Sequence, residues 1–211
     1  MSSCCGVNNQ TAMDNAQKRL LWIVLALNGV MFVVEFVAGW LAQSSGLLAD
    51  SLDMLADTLV YAVSLYAVGK TLRHKANAAT LNGVLQLLLA LLVIVDVIKR
   101  WLLGSQPEAQ IILMVALIAL LVNVICFVLL YRFRRGDINI RASWICSRND
   151  MLMNVGVIVS AIAVNQTQQA WPDLVIALAI ASLVVVSALR IISDARRVRR
   201  GQQSDIGGCC G

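Results

Sequence analysis

The chain has 211 residues, 59% of them hydrophobic, with a mean hydropathy of +0.78. A soluble domain carries about 45–50% apolar residues, so this surplus excludes an ordinary water-soluble fold. Only 14% of residues are charged and the formal net charge is +5. Its basic residues border long apolar runs, which makes them membrane-topology determinants; nucleic acid is not an expected partner.

A polar tail, residues 1–19, precedes the first apolar run, Leu20–Ala42, which is too long for a cleavable secretory signal. It carries Asn28 and Glu35. Gln43-Ser44-Ser45-Gly46 then punctuates the entry to the second run, Leu47–Lys70, which holds Asp50, Asp53 and Asp57. A basic loop containing His74 leads to the third run, Ala79–Leu103, with Asn82, Gln86 and Asp96. Gly104-Ser105-Gln106-Pro107 precedes the fourth, Gln110–Phe133, where Cys126 sits among Val and Phe as a packing residue. The fifth, Arg141–Val164, contains Cys146, Arg148, Asp150 and Asn154. Trp171-Pro172 opens the sixth, Asp173–Ile192, and a basic tail, residues 194–211, follows. About 20 apolar residues cross a ~30 Å hydrocarbon core, so the predicted fold is an all-α membrane protein with a six-transmembrane-helix bundle over residues 20–193.

Lys and Arg distribute unevenly between the two ends of this bundle. Lys18, Arg19, Lys70, Arg73, Lys75, Arg132, Arg134, Arg135, Arg141, Arg196, Arg197, Arg199 and Arg200 fall on one side, and only Lys99 and Arg100 on the other. The positive-inside rule then predicts a multi-pass protein of the inner membrane with both termini cytoplasmic.

Ionisable side chains inside a bilayer cost several kcal/mol and need a reason. Spacings of three and four put Asp50, Asp53 and Asp57 on one helical face. Like charges this close cannot all ionise in a low dielectric, so protons or a cation must be shared among them. On the fifth span Cys146 and Asp150 are also four apart, and Asn154 continues their face. At 1.5 Å per residue, Asp57 is about 15 Å from one membrane surface and Asp150 about 13.5 Å from the other, so both arrive near the midplane. Asp53 and Asp57 can thus face Cys146 and Asp150 as a four-ligand cage for a divalent cation. The thiolate favours a soft or borderline ion over magnesium or calcium. Asp50 and Asn154 are accessory candidates. A buried polar cluster that merely ties helices together is the structural alternative. Arg148 faces away from Cys146, toward Asp96 or the inner surface.

These residues resemble the cation diffusion facilitator family across Leu20 to Arg197. Leu47-Leu48-Ala49-Asp50 followed by Asp53 and Asp57 matches the family's second helix. Asp150 with Val155-Gly156-Val157 matches its fifth, with Cys146 in place of the usual histidine. Val34-Glu35-Phe36, Asn82-Gly83-Val84 and Trp171-Pro172-Asp173 are further echoes. The resemblance implies efflux of a zinc-like ion in exchange for protons, an alternating-access bundle and a homodimer. It also suggests a short form without the family's cytoplasmic C-terminal domain. Cys146 brings cadmium into competition with zinc. The transported metal apart, no cofactor is expected.

Cys4-Cys5 and Cys209-Cys210 lie on tails predicted to face the reducing cytoplasm, where paired thiols can capture a soft cation. A membrane-bound metal receptor or chaperone acting through these tails without transport is the alternative function. Neither an HExxH pair nor a Gly-x-Gly-Asp motif accompanies the carboxylates, which argues against an enzyme; nor is there a P-loop to couple transport to ATP.

Overall fold

The computed structural model describes residues 15–66, 72–131 and 138–200. They form six helices: α1 (Asn15–Leu41), α2 (Ser45–Tyr66), α3 (Leu72–Leu103), α4 (Ala109–Tyr131), α5 (Ile138–Thr167) and α6 (Trp171–Arg199). No strand occurs among the described residues. The fold is therefore all-α, as the composition requires. Cys4, Cys5, Cys209 and Cys210 lie outside the described residues, and so does the side chain of Cys146, although its backbone belongs to α5.

Several helices extend beyond the apolar runs that announce them. His74, expected in a loop, belongs to α3, whose first turns include Leu72-Arg73-His74-Lys75. Hydropathy marks only the stretch that sits in hydrocarbon, whereas Leu, Arg, Lys and Ala are good helix formers in any solvent. The same holds for Arg196, Arg197 and Arg199 in the last turn of α6, where positive charge also complements the helix dipole.

The ends have local causes. Ser44 caps α2, its Oγ accepting the Leu47 N–H at 3.1 Å. Pro172 is the second residue of α6, where its missing N–H costs nothing. Gly104, directly after α3, takes φ +81°, the left-handed geometry that closes many helices.

Among the helix pairs, α3 packs most extensively on α6, α4 on α5 and α1 on α2. Gly83 permits the first of these, because a Cβ there would meet Ile192 Cγ1 at 2.8 Å and the Ala188 carbonyl oxygen at 3.1 Å. Small residues at such crossings let helices approach when lipid offers no hydrophobic drive for association. In α4, Ile112, Ala116, Ala119, Asn123, Cys126 and Leu130 form the buried stripe. This three-and-four spacing is one face of a helix turned inward. Its other faces, like those of α1 and α3, expose Leu, Val, Ile and Trp as a lipid-facing surface.

Four helices are long and apolar enough to cross a membrane: Arg19–Leu41, Ala79–Leu103, Ala109–Tyr131 and Trp171–Arg197. Among the described residues, α2 and α5 do not meet that standard. Asp50, Asp53 and Asp57 interrupt α2, while Arg148, Asn149, Asp150 and Asn154 interrupt α5. The two helices that carry the predicted cage are thus the two whose apolar runs are most broken. This is a multi-pass membrane protein.

Candidate metal site

Because α2 packs on α5, the carboxylates of both helices enter one interior region. Asp50, Asp57 and Asp150 are buried and Asp53 is half-buried. The carboxyl groups of Asp53 and Asp150 come within hydrogen-bonding reach of each other across the α2–α5 contact. Two carboxyl groups bond to each other only by sharing a proton, since a carboxylate alone accepts and never donates. Asp57 and Asp50 both lie within electrostatic reach of Asp150. Cys146 precedes Asp150 by one helical turn on α5, but its side chain is outside the described residues.

Asn154 is fully buried on the next turn. Its Nδ2 donates to the Asp150 carbonyl oxygen at 2.9 Å, and its Oδ1 has no partner. Among the described residues, no three His, Cys, Asp or Glu side chains already converge as a metal cage. The Asp53–Asp150 bond instead holds two of the candidate ligands together.

Glu35 is an acidic residue inside the first apolar run. In the fold it is completely buried on α1, within electrostatic reach of Asp50 and Asp53. Neither Glu35 nor Asp50 has a hydrogen-bond partner on either carboxylate oxygen. Five carboxyl groups from three helices thus share one interior. The signal was present as an acidic residue inside an apolar run, but a helical period does not say which neighbour it meets. Asn82 and Gln86 bond to each other along α3 at 3.1 Å, and Asn28 bonds back to the Val24 carbonyl oxygen at 2.9 Å. None of these contacts is a helix-to-helix bridge. Cys126 packs against Leu20, Leu21, Val24 and Leu130, as expected of a small hydrophobe, and also comes within electrostatic reach of Asp57.

Arg148 does not pair with Asp96. It is exposed, and Asp96 instead binds Arg100 Nε at 2.6 Å and the Ser45 hydroxyl at 2.7 Å. Arg100 is one turn from Asp96 on the same helix and meets its carboxylate there.

A second polar assembly joins helices at the end where α1–α2, α3–α4 and α5–α6 connect. The buried Asp173 carboxylate accepts the Ser44 hydroxyl at 2.6 Å and the Ser45 N–H at 2.7 Å. It also accepts the Gly46 N–H, shared between both oxygens at 3.2 Å. The first N–H groups of a helix have no partner within it, and here a residue of α6 supplies one to α2. Gly46 is needed for the approach, because a Cβ there would lie 2.6 Å from Asp173 Oδ1. The Glu108 N–H donates to the Ala42 carbonyl oxygen at 3.0 Å, tying α4 to the same end.

Buried carboxyl groups gathered from several interior helices of an α-helical membrane protein are a feature of proteins that pass ions or protons through the bilayer. A family model for the cation efflux transmembrane domain matches residues 21–198, and the chain belongs to that family. It is 29% identical over 196 residues to the zinc transporter ZitB of Yersinia pestis, covering 87% of this chain and 62% of that protein. Against the metal cation efflux system protein CzcD of Cupriavidus metallidurans it is 29% identical over 187 residues, 83% of this chain and 59% of the relative. Against the cadmium, cobalt and zinc/H(+)-K(+) antiporter of Bacillus velezensis it is 29% identical over 209 residues, covering 92% and 66%. The chain thus spans about 62% of the length of ZitB.

Proposed function

We propose that this chain is a six-span efflux unit of the inner membrane that moves a divalent transition-metal cation, zinc or cadmium, out of the cytoplasm in exchange for protons. The Asp53–Asp150 hydrogen bond carries the reading, since it joins α2 to α5 through a proton that a cation can replace. The names of the relatives support the choice of ions. Asp53, Asp57, Cys146 and Asp150 are the proposed ligands, with Asp50 and Asn154 behind them. In the metal-free state protons occupy the carboxyl groups; a metal arriving from the cytoplasm must displace them and the thiol proton before it can bind. Rocking of helices about the site then exposes it alternately to the two sides. Both termini face the cytoplasm, in keeping with the basic residues at that end, and two copies associate, as the family resemblance implies.

The test is metal uptake by inverted vesicles, screened across zinc, cadmium, cobalt, iron and mercury at fixed pH. Asp57→Ala should abolish uptake while the protein still inserts. Wild-type flux in that variant would remove the cage, and no flux of any ion in the parent would leave a receptor or chaperone in its place.

A further inference from the structure

Asp173 lies on α6, a residue outside the proposed ligand set, yet it is buried and takes hydrogen bonds from three successive residues of α2's first turn and its cap. Ser44, Ser45 and Gly46 are buried, so water does not reach the first N–H groups of α2, and a carboxylate of another helix takes them. That carboxylate binds one helix to another. Ser45 extends the connection to α3, because its hydroxyl donates to Asp96, which is paired to Arg100. Since α3 and α6 form the most extensive helix pair, both contacts attach α2 to one body. Seven residues beyond Gly46 along α2 comes Asp53, so movement at this end of the helix is transmitted to the candidate ligands.

We propose that Asp173 is a positioning residue that clamps the first turn of α2 to the α3–α6 pair, and that this clamp closes the end of the bundle opposite the termini and opens once in each transport cycle. The closure rests on the transport reading; the clamp itself does not. When the clamp is made, the Asp53–Asp150 pair is shut off from that side. Release of the ion there requires the Ser44, Ser45 and Gly46 bonds to Asp173 to break together, which water can then satisfy on both partners. Gly46 makes the contact fit only at close approach, so the clamp behaves as an on-or-off contact.

Two measurements on the full-length protein test it. In the first, Leu47→Cys serves as a reporter, because Leu47 is fully buried directly behind the clamp. A membrane-impermeant maleimide added from the loop side should label this cysteine at least tenfold faster with Asp173→Ala than with Asp173 intact. Asp173→Asn, which keeps one acceptor oxygen, should give an intermediate rate. Equal labelling in all three backgrounds would overturn the clamp whether or not the protein transports. In the second, Ser45→Cys is combined with Asp96→Cys and oxidised with diamide in vesicles. Metal flux should fall at least tenfold and return on reduction, while oxidation leaves the flux of each single variant unchanged and equilibrium metal binding persists. Flux within twofold of the reduced state in a cross-linked protein would show that this contact need not open. Failure of the pair to react even with a short bifunctional methanethiosulfonate linker would show that it is not made. Absence of flux in the untreated parent would instead refute transport, leaving the labelling result to decide the clamp.

Discussion

Replacing Asp150 by Asn separates metal binding from folding with one substitution. The side chain is buried and hydrogen-bonded to Asp53. Asn has nearly the same shape as a protonated carboxyl and can donate its Nδ2 hydrogen to Asp53, so the metal-free fold keeps this contact. The cation, however, loses a charged ligand. Interactions with charged groups are worth about 1.5–3 kcal/mol, which makes affinity fall about 100-fold at the upper part of that range. At a metal concentration 100 times the wild-type Kd, binding stabilises the wild type by about 2.7 kcal/mol. The variant, with its Kd now equal to the metal concentration, gains only about 0.4 kcal/mol. Thermal unfolding of the purified protein with and without zinc or cadmium reads this directly. The metal-free midpoint should stay at or above the wild-type value, and the metal-induced rise should nearly vanish along with vesicle flux. An undiminished metal-induced rise in Asp150→Asn would refute the assignment of this carboxyl as a ligand.

Selectivity should follow Cys146, because a thiolate is softer than an imidazole. Cys146→His should shift competition in vesicles toward zinc and Cys146→Ser should weaken cadmium transport most; an unchanged zinc-to-cadmium ratio in both would make Asn154 or Asn149 the better fourth ligand. Deleting residues 1–10 and 203–211 should leave maximal flux nearly intact while raising the metal concentration needed for half-maximal rate, if the terminal Cys pairs assist capture. Complete loss in a folded truncation would locate a required site outside the bundle. Gly83→Val should destabilise the protein by about 1–3 kcal/mol, the usual cost of overpacking, through the contacts with Ile192 and the Ala188 carbonyl; a midpoint equal to wild type would mean the α3–α6 crossing can relax.

The nearness of Asp57 to Asp150 was legible in the sequence because rise per residue is a fixed length. Counting from opposite surfaces puts both near the midplane, and the two lie within electrostatic reach of each other where α2 packs on α5; which side chain of α2 comes nearest Asp150 was not legible. The ends of the helices were legible for a similar reason: Ser44, Gly104 and Pro172 have local roles that depend on few neighbours. Glu35 and Asp173 were not legible, since their partners lie on other helices and no periodicity within α1 or α6 names them. Arg148 shows the opposite difficulty. A charge inside an apolar run suggested a distant partner, Asp96, but Asp96 already had Arg100 four residues away. Local pairs need no tertiary fold, so they take precedence over remote ones of equal chemistry.

The exposed tryptophans of α1 carry a consequence for the membrane in which the protein sits. Trp22 and Trp40 are 60% and 71% exposed, near opposite ends of one uninterrupted helix. Indole rings favour the boundary between headgroups and hydrocarbon, so the two rings act as gauges of thickness. Eighteen residues at 1.5 Å each separate them by about 27 Å. That span suits an untilted helix in a thin bilayer; in a thicker one, α1 cannot make up the difference by tilting, and the lipid must thin around it. Acyl-chain length is therefore a variable to which this bundle should respond, through the helix that carries Glu35.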